Sequence, residues 1–233
     1  MEPDRCVVEA VGGPAGGFIT LTRVGVGPLL TPAGRFWMYQ FVADDEWGNY
    51  QALVKVDELG QDLRPRFVRD ESLLVRLDSG CATGQVFSDV TCECSEQLRL
   101  AMERIQRSGQ GVVVHCRAQD GRGMGTAFKL GTLWMQSDWG LDTVGAAVAL
   151  AGSQHIDRRT YGGMIAVLQY LGVRQSQPIT VATNNPDKIA AFISNGFSEV
   201  KRQEIVIGAT RHTGRHLRAK AEHLGHLGLG ARS

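Results

Sequence analysis

Cys81, Cys92 and Cys94 are the residues of this chain whose type and spacing point most directly to chemistry. Ten residues separate the first from the second, and one separates the second from the third. Thiolates suit a tetrahedral zinc ion, and a set of three leaves one position for a water whose pKa falls to about 7. The same spacing also fits a structural site completed by Cys116 or His115, or plain apolar thiols in a core. Spacing alone leaves all three readings open.

Three further segments could meet an anion or a base. Arg117, Arg122 and Lys129 surround the glycines of Asp120-Gly121-Arg122-Gly123-Met124-Gly125, where backbone can approach a phosphate and a following helix offers free N–H groups. A surface turn has the same composition. No Gly-Lys-Ser/Thr follows, so Walker-type phosphate chemistry is disfavoured. Asp157-Arg158-Arg159-Thr160-Tyr161 stands at an expected helix start, where Asp157 reads by default as an N-cap. Thr183-Asn184-Asn185-Pro186-Asp187-Lys188 follows an expected strand and precedes a helix, the place where open α/β sheets bind ligands, although a turn would look the same.

The elements that must position these groups are legible in part. Strands are expected over Ile19–Val26, Gly34–Ala43 and Tyr50–Val56, separated by Thr31-Pro32-Ala33-Gly34 and by Asp44–Asn49, both turn-forming stretches. A strand over Leu73–Leu77 leads into Cys81. Ser95–Ser108 has the one-sided period of a helix, with Gly109 as its C-cap. A short strand at Val112–Val114 precedes the Gly-rich loop and a helix to about Gln136. A helix over Thr160–Leu171, a strand at Ile179–Ala182, a helix over Pro186–Asn195 and a basic amphipathic helix over Arg215–Leu227 complete the order. The fold class is therefore mixed α/β (α+β), with a β-rich N-terminal third and helix–strand units after it. Residues 1–18, rich in glycine, are expected to form a flexible segment, and residues 19–233 one domain.

Bulk properties exclude several classes of partner. The 233 residues are 43% hydrophobic and 21% charged, with a formal net charge of +1. No global field favours nucleic acid or an acidic membrane. No apolar run approaches the roughly 20 residues that span a bilayer, and Met1–Pro14 lacks a signal pattern, so the expected location is cytoplasmic. Five cysteines, an odd number, favour reduced thiols and metal binding over a disulfide framework.

Taken together, these motifs resemble the GTP cyclohydrolase II family. The resemblance runs from about Leu29 to Leu227. It is carried by Cys81…Cys92-Glu93-Cys94-Ser95-Glu96-Gln97-Leu98, Asp120-Gly121-Arg122, Gly140-Leu141-Asp142-Thr143-Val144, Asp157-Arg158-Arg159-Thr160-Tyr161 and Thr183-Asn184-Asn185-Pro186-Asp187-Lys188. It implies a GTP cyclohydrolase II-like single catalytic domain, a homodimer, catalytic Zn2+ on Cys81, Cys92 and Cys94, and Mg2+ accompanying the triphosphate. It further implies that Gln97 reads the guanine edge and that Arg76, Asp120, Gly121, Arg122, Thr143, Thr183 and Lys188 contact the nucleotide. Arg159 falls at the arginine assigned as nucleophile toward the α-phosphate, and Asp157 at its proton acceptor. Because a guanidinium stays protonated, the electrostatic role of Arg159 carries more weight than the covalent one. The implied reaction opens the imidazole ring of GTP, releases pyrophosphate and leaves a 6-ribosylamino-pyrimidinone 5′-phosphate.

Three departures from the family pattern bear on that reaction. Ser79-Gly80 replaces a Ser-Glu before the first cysteine. Arg117-Ala118-Gln119-Asp120-Gly121-Arg122 has one extra residue and a shorter acid than Arg-Gln-Glu-Gly-Arg. A tyrosine expected after the loop aligns with Leu133 or Trp134, and no tyrosine lies between Tyr50 and Tyr161. A phenol near the nucleophilic water can relay a proton, so its loss points to ring opening without efficient release of formate. A homologue that binds GTP and keeps a structural zinc, but has lost the chemistry, is the competing expectation.

Overall fold

The computed structural model describes residues 2–12, 17–152 and 155–207. Alternation in the first third gives an antiparallel run: β1 (Asp4–Glu9), β2 (Phe18–Thr31), β3 (Gly34–Ala43) and β4 (Asn49–Lys55). Each pairs with the next. Strand β2 runs beyond the expected Val26 because its ladder with β3 continues to the turn, where Thr31 lies opposite Gly34. The N-terminal segment differs from expectation. Asp4–Glu9 is a strand whose ladder with Phe18–Arg23 ties it to the sheet edge, and Tyr170 donates a hydrogen bond to Asp4 at 2.5 Å.

Parallel strands complete the sheet: β5 (Leu73–Asp78), β6 (Gly111–His115), β7 (Ile179–Ala182) and β8 (Val200–Gln203). The eight strands lie in the order β1-β2-β3-β4-β6-β5-β7-β8. From β5 the chain passes through helix α1 (Cys94–Ser108) to β6 on one side. It then returns through α2 (Gly125–Asp138), α3 (Thr143–Ala151) and α4 (Gly162–Tyr170) to β7 on the other side. Helix α5 (Pro186–Ser194) links β7 to β8, and Asn185 caps its N-terminus by accepting from the Asp187 N–H at 2.9 Å. Strand order thus reverses at β5, which makes its carboxyl end a topological switch point.

The two sheet faces carry separate cores. Helix α4 packs on β1, β2, β4 and β6, while α1 packs on β5 and β6. Leu73, Val75 and Leu77 of β5 join Val112 and Val114 of β6 beneath α4, whereas Leu74 and Val113 meet Ala101 and Ile105 of α1. This period-2 division leaves Arg76 and Asp78 on the α1 side at the carboxyl end of β5, both buried. Helix α1 ends as expected at Gly109, whose φ of 81° is left-handed. Helix α3 is an element that periodicity did not reveal. Its run Thr-Val-Gly-Ala-Ala-Val-Ala-Leu-Ala has no polar face, and Asp142 starts it by accepting from the N–H groups of Val144 and Gly145 at 2.8 and 2.7 Å. The expected helix over Arg215–Leu227 lies outside the described residues. Among the described residues, no helix is long and apolar enough to cross a membrane.

Candidate functional site

Loops leaving the carboxyl ends of β5, β6 and β7 converge on one cleft. Its lining takes in the three cysteines together with Arg76, Gln97, Asp120, Gly121, Arg122, Thr143, Thr183, Lys188 and Arg159. The remaining candidate, Asp157, sits one step back from the cleft and holds Arg159. Its Oδ1 accepts from the Arg159 N–H at 3.1 Å and from Nε at 2.8 Å, and its Oδ2 accepts from Nη2. The N-cap role expected for Asp157 is therefore not what the structure contains. Helix α4 begins at Gly162 behind Tyr161, and the carboxylate spends its lone pairs on Arg159.

The first ligand candidate is set by a single π-helical turn, Ala82–Val86, whose N-cap is Cys81. Such turns recur at functional sites. The Gly84 N–H donates to Cys81 Sγ at 3.3 Å; Cys94 opens α1, and Cys92 lies in the turn just before it. All three Sγ atoms lie within 4.8 Å of one another, and no fourth His, Cys, Asp or Glu joins them among the described residues. Cys81 and Cys92 Sγ are 3.7 Å apart. A tetrahedral ion with Zn–S bonds of about 2.3 Å separates neighbouring sulfurs by about 3.8 Å, so the set fits zinc. Gly84 forms the wall of this cradle: a Cβ there would stand 2.7 Å from Cys92 Sγ and 3.1 Å from Cys81 Sγ. The two fourth-ligand candidates are engaged elsewhere. Cys116 is buried in the α4-side core, and His115 Nδ1 bonds Asp78 at 2.8 Å.

Charge around the sulfurs is ordered. Hydrogen bonds from Cys92 and Cys94, then from Lys129, hold the Cys81 thiol far below the ordinary thiol range despite its burial. Hydrogen bonding to Cys81 pushes the Cys92 and Cys94 thiols up. Arg117, one of the three expected anion-binding cations, is exposed and does not line the cleft. Lys129 lines it, but its Nζ is directed to Cys81 Sγ at 2.7 Å.

Asp78 organises the floor of the cleft, a role that sequence reasoning missed. Its carboxylate accepts from Arg76 at 3.4 Å, from Gln85 at 2.8 Å and from His115. Against its burial, His115 and Arg76 hold it below the usual carboxylate range. Gln85 in turn accepts from the Cys81 N–H at 3.1 Å. The available signal was an acid two residues after Arg76, closing a strand that is apolar apart from that pair.

Arg76 also donates to Ala182 O at 3.1 Å and to Gln97 Oε1 at 3.2 Å, while Gln97 Nε2 donates to Glu93 at 2.8 Å. The Gln97 amide is thereby fixed in orientation. Lys188 Nζ donates to Leu77 O at 2.7 Å, and burial, followed by the charges of Arg76 and Arg159, pushes it well below the ordinary lysine range. Thr183 Oγ1 accepts from the Asn185 N–H at 3.0 Å and shapes the turn before α5. Arg122 has a left-handed φ of 61°, a conformation that costs a non-glycine residue about 1–3 kcal/mol and clusters at functional sites. It donates to Thr143 O at 3.2 Å and Oγ1 at 3.3 Å, leaving Nη1 buried without a partner.

The first two sequence departures form one rebuilt wall. Gly80 has a φ of 70°, and a Cβ there would stand 2.9 Å from Arg117 Cα and 3.0 Å from Cys116 O. The backbone that opens the lengthened loop thus fills the space a side chain at position 80 would need. Gly80→Glu is expected to destabilise the protein, because a left-handed glutamate and an overpacked contact each cost about 1–3 kcal/mol. Thermal melting should fall by at least about 5 °C; an unchanged melting temperature would show that the loop yields freely.

The third departure is decided by helix phase. Leu133 lines the cleft that the sulfurs also line, whereas Trp134 is 66% exposed and does not line it. Leu133 therefore occupies the side of α2 that faces the chemistry.

The model of the GTP cyclohydrolase II family matches residues 22–204 of this chain. Among curated proteins, the chain is 34% identical over 204 residues to "GTP cyclohydrolase-2" of Streptomyces coelicolor, covering 88% of this chain and 85% of that protein. It is 35% identical over 186 residues to "GTP cyclohydrolase-2" of Neisseria meningitidis, covering 78% and 91%. With "Monofunctional riboflavin biosynthesis protein RIBA 3, chloroplastic" of Arabidopsis thaliana it shares 37% identity over 187 residues, 78% of this chain but only 36% of that protein. The chain thus spans about a third of the plant relative's length and most of the length of the two bacterial ones.

Proposed function

This chain belongs to the GTP cyclohydrolase II family, and from that premise we propose that it hydrolytically opens the imidazole ring of GTP and releases pyrophosphate. The observation that carries the reading is the three-sulfur cluster at the switch-point end of β5, facing a cleft lined by Arg76, Gln97, Arg122, Arg159 and Lys188. Cys81, Cys92 and Cys94 would hold zinc. When bound, the metal supplies Lewis acidity that brings a water's pKa to about 7, so that a nucleophile is available at neutral pH.

The chain's own residues do the rest. Arg76 and Glu93 pin the Gln97 amide, whose remaining donor and acceptor capacity reads the guanine edge. Arg122 offers its orphan Nη1 to a nucleotide oxygen and is steadied by Thr143. The main-chain turn at Gly121 and the side chains of Asp120, Thr183 and Lys188 complete the enclosure. Asp157 orients the Arg159 guanidinium, which stabilises charge at the α-phosphate as pyrophosphate leaves. Magnesium accompanying the triphosphate would neutralise part of its charge.

The product is a 6-ribosylamino-pyrimidinone 5′-phosphate that retains its formylamino group. Support comes from Leu133, an aliphatic side chain on the part of the cleft wall where a phenol would relay a proton for the second hydrolysis. Purified protein incubated with GTP, zinc and magnesium should yield pyrophosphate well in excess of formate. Equal yields would overturn the formylamino reading, and binding of zinc and GTP without pyrophosphate would identify a non-catalytic nucleotide binder.

A homodimer is part of this proposal. Leu130 and Trp134, four residues apart on α2, and Trp139 at its end are 54–66% exposed, apolar surface that a second copy of the chain would cover. A cytoplasmic location accords with five free cysteines, because a three-thiol site needs a reducing compartment.

A further inference from the structure

Lys129 stands outside the roles assigned so far. It lies four residues before Leu133 on α2, so the two side chains share the cleft-facing stripe of that helix. Its side chain is 16% exposed, and its ammonium is bracketed: Cys81 Sγ accepts from Nζ at 2.7 Å, while Asp120 Oδ1 lies 3.8 Å away. Asp120 is itself immobilised. Its Oδ2 accepts from the Ala82 N–H at 3.0 Å and from Thr126 Oγ1 at 3.1 Å, and its Oδ1 accepts from the Gly121 N–H at 2.7 Å. The acid of the lengthened loop therefore grips both the backbone just after Cys81 and the lysine that reaches its sulfur. A lysine in an anion-binding cleft would be expected to point its charge at the ligand, but this one points it at the Cys81 sulfur.

Three thiolates around a divalent ion leave one net negative charge in a largely buried place. An ammonium hydrogen-bonded to one of those sulfurs offsets it. We infer that Lys129, steered by Asp120, is a positioning residue for the metal centre: its N–H···S bond fixes the place of the Cys81 sulfur, offsets the charge of the loaded site and moderates that sulfur's donor strength. The inference rests on the zinc reading above and adds to it a residue, a partner atom and a purpose.

The consequence is measurable without turnover. Loss of a hydrogen-bonding outer partner of a metal ligand costs roughly 10–100-fold in metal affinity. Lys129→Met should therefore bind zinc about 10–100-fold more weakly than the parent in chelator competition, whereas Lys129→Arg, which keeps the charge and a donor, should stay within a few-fold. With cobalt substituted for zinc, removal of the N–H···S bond raises the energy of the sulfur lone pairs. The thiolate-to-cobalt absorption should then move to longer wavelength in Lys129→Met and not in Lys129→Arg.

Melting of the metal-free forms separates loss of fold from loss of the interaction. Should Lys129→Met not fold, Lys129→Gln removes the charge while keeping an amide donor, and at least about a tenfold loss is expected from it. Zinc affinity within about twofold of the parent, with an unmoved cobalt band, would overturn the inference. A parent protein that takes up neither metal would instead overturn the zinc reading on which it stands.

Discussion

Cys92→Ser is expected, on the proposed zinc reading, to abolish metal uptake and ring opening together. A neutral serine hydroxyl is a far poorer zinc ligand than a thiolate, and two remaining sulfurs do not make the set that the cradle at Gly84 is shaped to hold. Without the metal, the pKa of the attacking water returns from about 7 to that of bulk water, far above neutrality, and hydroxide at neutral pH becomes vanishingly scarce. Activity should fall below detection, and metal analysis should show less than stoichiometric zinc. Added zinc should raise the melting temperature of the parent, because a ligand that binds only the native state stabilises it, and should leave the variant unmoved. A Cys92→Ser protein that opens GTP at the parental rate would mean that the sulfurs are a structural cluster and that the nucleophile arises elsewhere.

Leu133→Tyr is expected to have the next largest effect, on what leaves rather than on what binds. Leu133 lines the cleft, so a tyrosine there places a phenol within the site at the phase where the family pattern carries one. General acid–base groups contribute roughly 10²–10⁴-fold to the step they serve. Formate released per pyrophosphate should climb from well below one toward one, with little change in the apparent affinity for GTP. Trp134→Tyr provides the matched control: its side chain is 66% exposed on α2, so it should leave the ratio where it was. If Trp134→Tyr raised formate and Leu133→Tyr did not, the helix phase assigned to this chemistry would be wrong.

The contrast between these neighbours shows where sequence reading stops. Alignment of motifs leaves Leu133 and Trp134 equally available, because one extra loop residue shifts the register by one. A shift of one residue turns a helical side chain by about 100°, the difference between the cleft and the solvent. Only the packing of α2 against the rest of the molecule selects the face.

The limits of β3, the extent of α1, the C-cap at Gly109, strand β7 and the grouping of the three cysteines were legible, because each depends on local periodicity, turn chemistry or short spacing. Strand β1 was not. Its residues alternate weakly beside a glycine-rich stretch, and what makes Asp4–Glu9 a strand is a partner that begins at Phe18. Helix α3 escaped because a run of small apolar residues has no polar face to betray its period, although Asp142 carried the cap signal.

What the sequence determined by itself is which residue types stand at chemically suggestive spacings and, through their order, which family the chain belongs to. What the tertiary structure alone decided is whom those residues face. Lys129 turns to Cys81 rather than to an anion, Asp157 to Arg159 rather than to a helix end, and the loop backbone fills the space beside Gly80. The physical reason is range. Propensities and spacings act over a few residues, whereas Lys129 and Cys81 stand 48 positions apart, and Asp78 and His115 stand 37 apart. These pairings exist only because strand order reverses at β5 and brings three loop ends together.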